Sequence, residues 1–379
     1  MTASLSSLFT PCLVLDEAVM QRNIDTVADR AGRLGVTLRP HFKTAKCIEV
    51  AKRQLHRNAR GLTVSTLREA QFCLDHGVVD LFYAVELAPS KTEAICRLIG
   101  KGADLKCLVD SPDAAEAIAA RAGDTTVPLL ISMDMDGYRC GIPGNGAGLK
   151  RLANYIHGRA NLRFSGLMAY SGASYGLDSA AEKGRLLEDH LGAALAARST
   201  LGIECPTLSI GSTPAFMNAE RLLGATEVRA GIYVFQDLFQ AGRGHCGVSD
   251  IALSVLTRVI SVQPERNRFF VDAGGLAMSK DRSTRGYGFD AGYGALCDAG
   301  SGELIDDLVI REVHQEHGVV SSRSGKPVDF SGVTIDRMYR VLPNHSDMTA
   351  AAFDKYFVID GQGDVVDVWP RANGWEPES

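Results

Sequence analysis

Residues 105–133 read LKCLVDSPDAAEAIAARAGDTTVPLLISM, and this stretch decides the fold. An apolar run over 105–109 gives way to a helical pattern over 111–120, and a second apolar run follows at 127–133. Strand, amphipathic helix, strand within about 30 residues is the unit that lays two parallel strands side by side. Outward from it the unit recurs. An opening helix over 17–33 leads to strands at 37–40, 61–64 and 80–85, and strands at 164–170, 207–210 and 227–229 follow. Helices at 66–76, 90–99 and 179–201 separate them, the last with Leu187, Leu191 and Leu195 on one face. Eight such units predict an α/β chain built on a (β/α)8 TIM barrel over residues 10–245. An open doubly wound sheet is the competing reading.

From residue 251 the texture changes. ALSVLTRVISV, RFFVDAG, DLVIREV, MYRVLP and YFVIDG are short alternating or buried runs with Gly, Asp and Pro between them. They predict a C-terminal β-domain over 246–379, with residues 1–16 a candidate addition through the strand 12–15. The 379 residues are 45% hydrophobic and 22% charged with net charge −5, which excludes a disordered chain. No apolar run approaches the roughly 20 residues of a membrane span, and no Lys/Arg cluster points to nucleic acid. The first residues lack the basic start of a secretory signal. Nine cysteines, an odd number with no C-x-x-C pair, read as free thiols in a reducing cytoplasm.

In a barrel, chemistry sits at the C-terminal strand ends, and phosphate sites favour the last two. Strand one is followed by HFKTAK, with Lys43 at the mouth and Lys46 as the alternative. Strand five is followed by Arg139, and strand six ends in AYSGASYG with Tyr170 and Tyr175. Strand seven ends in IGSTPA and strand eight in RAGIYVF. Gly211 and Gly231 let backbone approach an anion, and Ser212 and Thr213 add hydroxyls at a helix start. The same GSTP reads equally as a helix cap with Pro in its first turn. A lysine that can form a Schiff base beside a phosphate cradle points to pyridoxal 5'-phosphate. In the β-domain, VLPNHSDMT places His345 and Asp347 on one face of an extended strand, a pair suited to a divalent metal such as Zn or Mn. A turn cap through Asn344 and Asp347 is the alternative. EVHQEHG offers His314, Glu316 and His317, the first two on one strand face; a supporting role for His317 beside the substrate and plain burial are both open.

Taken together, TPCLVLD, LRPHFKTAKC, TVSTLREA, DLFYAVELAP, DMDGYRCG, GSTPA, TEVRAGIYVFQD, VDAGGLAMSKD, QEHG and PNHSD resemble the fold-type III, alanine-racemase-like pyridoxal-phosphate enzymes. The resemblance is narrowest to the branch of D-threonine aldolase, eukaryotic-type D-serine dehydratase and D-threo-3-hydroxyaspartate dehydratase, and it covers about residues 10 to 360. It implies that Lys43 carries the cofactor and takes the α-proton, and that Arg139 and Tyr170 contact its ring. It implies that Gly211, Ser212, Thr213, Gly231 and Tyr233 hold the phosphate. It further implies that His345 and Asp347 bind a metal (Mn, Zn or Mg) and that the chain forms a homodimer; Tyr175, from the end of strand six, is a candidate substrate or supporting contact.

Two departures bear on the reaction. The aldolase branch has a histidine six residues after the strand-six tyrosine, where this chain has Gly176. The dehydratases commonly have His-x-Cys at the metal, where this chain has His345-x-Asp347, as aldolases do. Retro-aldol cleavage needs a base on the β-hydroxyl, worth about 10²–10⁴-fold. Elimination needs a better leaving group, which a Lewis-acidic metal supplies. The expected reaction is therefore β-elimination of water from a 3-hydroxy-D-amino acid, giving a 2-oxo acid and ammonia. Cleavage to glycine and an aldehyde is the alternative. An amino-acid racemase on the same scaffold leaves His345 and Asp347 without a role.

Overall fold

The computed structural model describes residues 3–57, 59–137, 139–143 and 147–377, in two compact units. The first holds residues 25–231 and 372–379; the second holds 1–24 and 232–371.

The first unit is a parallel barrel. Its strands run, in spatial order, Thr37–Pro40, Glu227–Ala230, Thr207–Ile210, Leu162–Ala169, Val127–Asp134, Asp104–Val109, Asp80–Glu86 and Leu62–Val64. A parallel bridge between His41 and Thr63 joins the two ends, with the Phe42 amide donating to the Thr63 carbonyl at 2.8 Å. The doubly wound alternative is thereby excluded. The helix Pro112–Ala122 starts on Ser111, whose hydroxyl accepts from the Ala114 amide, and Pro112 fills its first turn. Phe82, Leu108, Leu130 and Met168, from four neighbouring strands, form one apolar layer of the interior, with Tyr170 packed against it.

The barrel strands also carry a polar network. Arg39, 3% exposed, pairs with Glu227 Oε2 at 2.7 Å and forks onto both oxygens of Asp80 at 2.9 and 3.2 Å. Glu227 Oε1 accepts from Ser209 Oγ at 2.7 Å, and Ser209 Oγ accepts from Arg229 at 2.9 Å. Each buried charge therefore has a partner, the condition under which burial of charge is tolerated.

The second unit is a mostly antiparallel sheet of ten strands among the described residues. Leu253–Gln263 is its spine: it pairs with Cys12–Asp16, Arg268–Val271 and Met338–Leu342. Because Met338–Leu342 also pairs with Ala295–Asp298 at the end of the sheet order, the strands curl into a barrel-like wall. The N-terminal strand Cys12–Asp16 completes this sheet, pairing on its other side in parallel with Lys355–Ile359. Ala295–Asp298, Gly318–Ser322 and Asp364–Pro370 are strands that the apolar runs did not announce. No described helix is long and apolar enough to cross a membrane.

Candidate active site

The first unit gathers its candidates at the C-terminal strand ends. Lys43 lies half-buried in the turn after Thr37–Pro40. The turn is pinned on both sides: the His41 amide donates to the Ala230 carbonyl at 2.8 Å, and the Lys43 amide donates to His41 Nδ1 at 3.4 Å. His41 Nε2 lies 3.4 Å from Ser65 Oγ. Burial, then the charges of Lys43, Arg229 and Arg139, hold the His41 pKa well below its ordinary value, so the ring is neutral. Lys46 serves the structure instead. Its Nζ sits 3.2 Å from Oε1 of Glu69, a wholly buried carboxylate whose Oε2 accepts from the Ser65 amide at 2.8 Å.

The glycine-and-hydroxyl cradle forms at the last two strand ends. Gly211 has φ +134°, and a Cβ there would fall 2.4 Å from the Arg229 carbonyl, so only glycine fits. Ser212 caps the short helix Thr213–Asn218, and its Oγ lies 2.8 Å from Ser174 Oγ. Thr213 Oγ1 accepts from the Gly231 amide at 3.2 Å. A Cβ on Gly231 would meet His41 Cβ at 3.0 Å and Thr44 Oγ1 at 3.2 Å. Thr44 Oγ1 is buried without a hydrogen-bond partner. The cap reading of GSTP is therefore correct as far as it goes, and the unsatisfied Thr44 hydroxyl lies beside Gly231.

Arg139, exposed, stacks its guanidinium 4.3 Å from the centre of the Tyr170 ring. Tyr175 is half-buried in the 3-10 turn Gly172–Gly176. Arg229 donates to Ser209 Oγ and to the Ala169 carbonyl inside the barrel. Burial pushes its pKa down to about 10.

In the second unit, Tyr233 is wholly buried. His345 and Asp347 do not lie on an extended strand. His345 is the N-cap of the helix Ser346–Ala350, and Asp347 sits in its first turn. The preceding Asn344 ties this corner down, donating to the Asp281 and Gly292 carbonyls at 2.9 and 2.7 Å and accepting from Thr284 at 3.1 Å. His345 Nδ1 is 3.6 Å from Oδ2 of Asp237, a residue 1% exposed. Burial pushes the Asp237 carboxyl up to about 7, against the pull of His345 and two backbone amides, with Asp347 adding to the rise. The expectation for His314 and Glu316 is corrected. They do not share a strand face, because the strand ends at Val313 and residues 314–317 make an exposed hairpin turn closed by the His314 amide on the His317 carbonyl. His317 is exposed in that turn, its ring edge-on to Phe270.

Residues 15–238 match the family described as alanine racemase, N-terminal domain, well over half of the chain. The chain belongs to this family. Residues 252–359 of this alanine-racemase-family chain also match a putative serine dehydratase domain. It is 38% identical to the D-threo-3-hydroxyaspartate dehydratase of Delftia sp. (strain HT23), over 99% of this chain and 100% of that one. The solved structure of that enzyme superposes with a TM-score of 0.95, covering 98% of this chain and 100% of the other. A variant of it with a cysteine replaced has been solved in a metal-free form. The D-threonine aldolase of Arthrobacter sp. is more distant, at 27% identity over 96% of this chain and 92% of its own length.

Three residues that the structure of this family member places beside the candidates were not singled out from sequence. His41 and Thr44 flank Lys43, and their proximity to Lys43 was the available signal. Asp237 ends the stretch TEVRAGIYVFQD, but nothing local connects it with His345, more than a hundred residues away.

Proposed function

We propose that this pyridoxal-phosphate-dependent lyase removes water from small 3-hydroxy-D-amino acids, giving a 2-oxo acid and ammonia. The residues fit the cofactor: an amine at the barrel mouth, and beside Gly231, where backbone packs without a side chain, the orphan hydroxyl of Thr44 to receive a phosphate oxygen. They fit a divalent cation as a partial shell. His345 and Asp347 offer a nitrogen and a carboxylate, suited to Mn, Zn or Mg. No group of three or more His, Cys, Asp or Glu able to hold an ion occurs among the described residues, so water or substrate would complete the shell.

When bound, pyridoxal phosphate supplies an electron sink for the α-carbon and the cation supplies Lewis acidity toward a departing hydroxide. Lys43 anchors the cofactor and its amine takes the α-proton. Neutral His41 adds no further positive charge beside that amine. Arg139 and Tyr170 contact the ring. Gly211, Ser212, Thr213 and Gly231 would hold the phosphate, with Tyr175, in the turn Gly172–Gly176, a candidate contact of the substrate. A homodimer in a reducing cytoplasm completes the reading, in keeping with nine free cysteines.

Gly176 carries the choice of elimination over carbon–carbon cleavage. It ends the turn Gly172–Gly176 with open space around its Cβ position and no side chain to serve as a base on the β-hydroxyl. The greater similarity to a dehydratase than to an aldolase points the same way. Asp347 is the one residue that favours the aldolase reading. Incubation with D-threonine separates the two: 2-oxobutanoate with ammonia is expected, whereas glycine with acetaldehyde supports cleavage. Neither pair, across a panel of 3-hydroxy-D-amino acids, overturns both.

A further inference from the structure

His345 is held in an unusual way for a helix cap. Its side chain makes no capping hydrogen bond, 38% of it is exposed, and yet Nδ1 is completely buried with no hydrogen-bond partner within 3.5 Å. The exposure therefore belongs to the rest of the ring. The buried nitrogen faces Oδ2 of Asp237 at 3.6 Å. Asp237 is fixed from two sides: Oδ1 accepts from the Gln240 amide at 2.8 Å, and Oδ2 accepts from the Ser346 amide at 3.3 Å. The residue next to His345 is thus bound by the same carboxylate oxygen that its ring faces. Ser346 Oγ donates to the Gln236 carbonyl at 2.5 Å, which clamps the two segments a second time.

A neutral imidazole carries one proton, and a metal needs the lone pair of the other nitrogen. An acceptor at Nδ1 places the proton there and leaves the Nε2 lone pair available. We infer that Asp237 is a positioning residue that sets the tautomer and ring angle of His345 for a divalent cation. The inference rests on the proposed metal role of His345 and Asp347. It adds a residue that neither spacing nor the His-x-Asp motif assigns. Asp237 does not touch the cation; it acts through the ring.

The test titrates Zn²⁺ and Mn²⁺ into chelator-stripped protein by calorimetry, for the unaltered chain, Asp237→Asn and His345→Ala. An asparagine keeps one acceptor oxygen for the Gln240 amide but can turn a donor toward Nδ1, favouring the wrong tautomer. Expected is a loss of about 10–100-fold in metal affinity for Asp237→Asn, and no specific binding for His345→Ala. Equal affinity for Asp237→Asn and the unaltered chain overturns the positioning role while leaving the metal pair standing. Binding that is unchanged in His345→Ala, or absent from the unaltered chain, overturns the metal reading and this inference with it. Imidazole ¹⁵N shifts of the unaltered protein give a second readout that no folding defect in a variant can obscure. They should show His345 protonated at Nδ1, and a proton on Nε2 overturns the inference.

Discussion

The two units reach their candidate residues by opposite routes. In the barrel unit the strand ends present chemistry in chain order, so the position of a residue after its strand tells where it faces. In the β-unit, His345 and Asp347 depend on the neighbouring Asn344, whose partners Thr284 and Gly292 lie 60 and 52 residues away, and on Asp237, 109 residues before Ser346. A parallel barrel makes function readable from local order. An antiparallel sheet with a helical corner hides it in long-range contacts.

The largest effect should come from the barrel mouth. Lys43→Ala is expected to lower kcat by about 10⁴-fold or more and to remove the visible absorbance of lysine-bound cofactor. Retention of both would shift the anchor elsewhere. Next is the buried charge network. Glu227→Ala leaves Arg39 without one of its two carboxylate partners and Ser209 without its acceptor. A loss of about 3–5 kcal/mol in unfolding free energy is expected, read by denaturant titration with unchanged second-unit structure. A loss under about 1 kcal/mol would show that the network is solvated in solution.

Removing metal probes the other unit. Chelation, or His345→Ala, should cost several kcal/mol of barrier, about 10²–10³-fold in kcat, with the cofactor spectrum unchanged. A spectrum that disappears with the metal would mean that the two groups are not separable. The smallest effect is expected at Gly176→His. The Cβ position is open and the backbone is not left-handed, so melting should shift by no more than a few degrees. The supplied base should let a minor yield of glycine accompany the 2-oxo acid. No glycine at all would weaken Gly176 as the discriminating position.

These contrasts also show how much could be read in advance. All eight barrel strands and the helices Glu17–Arg33 and Ala180–Thr200 fall where apolar periodicity places them, because each is buried by its own sequence pattern. Lys43, Gly211 and Gly231 were legible as strand-end residues. The ion pair of Lys46 was not, since Glu69 reaches it from another element. The His-x-Asp spacing suggested a strand face, but a helix starting at Ser346 changes the geometry, and periodicity over three residues cannot distinguish the two. Ala295–Asp298 is too short and too small in side chain to announce itself; it is a strand because Met338–Leu342 pairs with it.

The most direct test of the dehydratase reading is product analysis with D-threo-3-hydroxyaspartate and the cofactor- and Mn²⁺-loaded protein. Oxaloacetate and ammonia in equal amounts, with no glycine, are the predicted products. Glycine and glyoxylate would contradict the account.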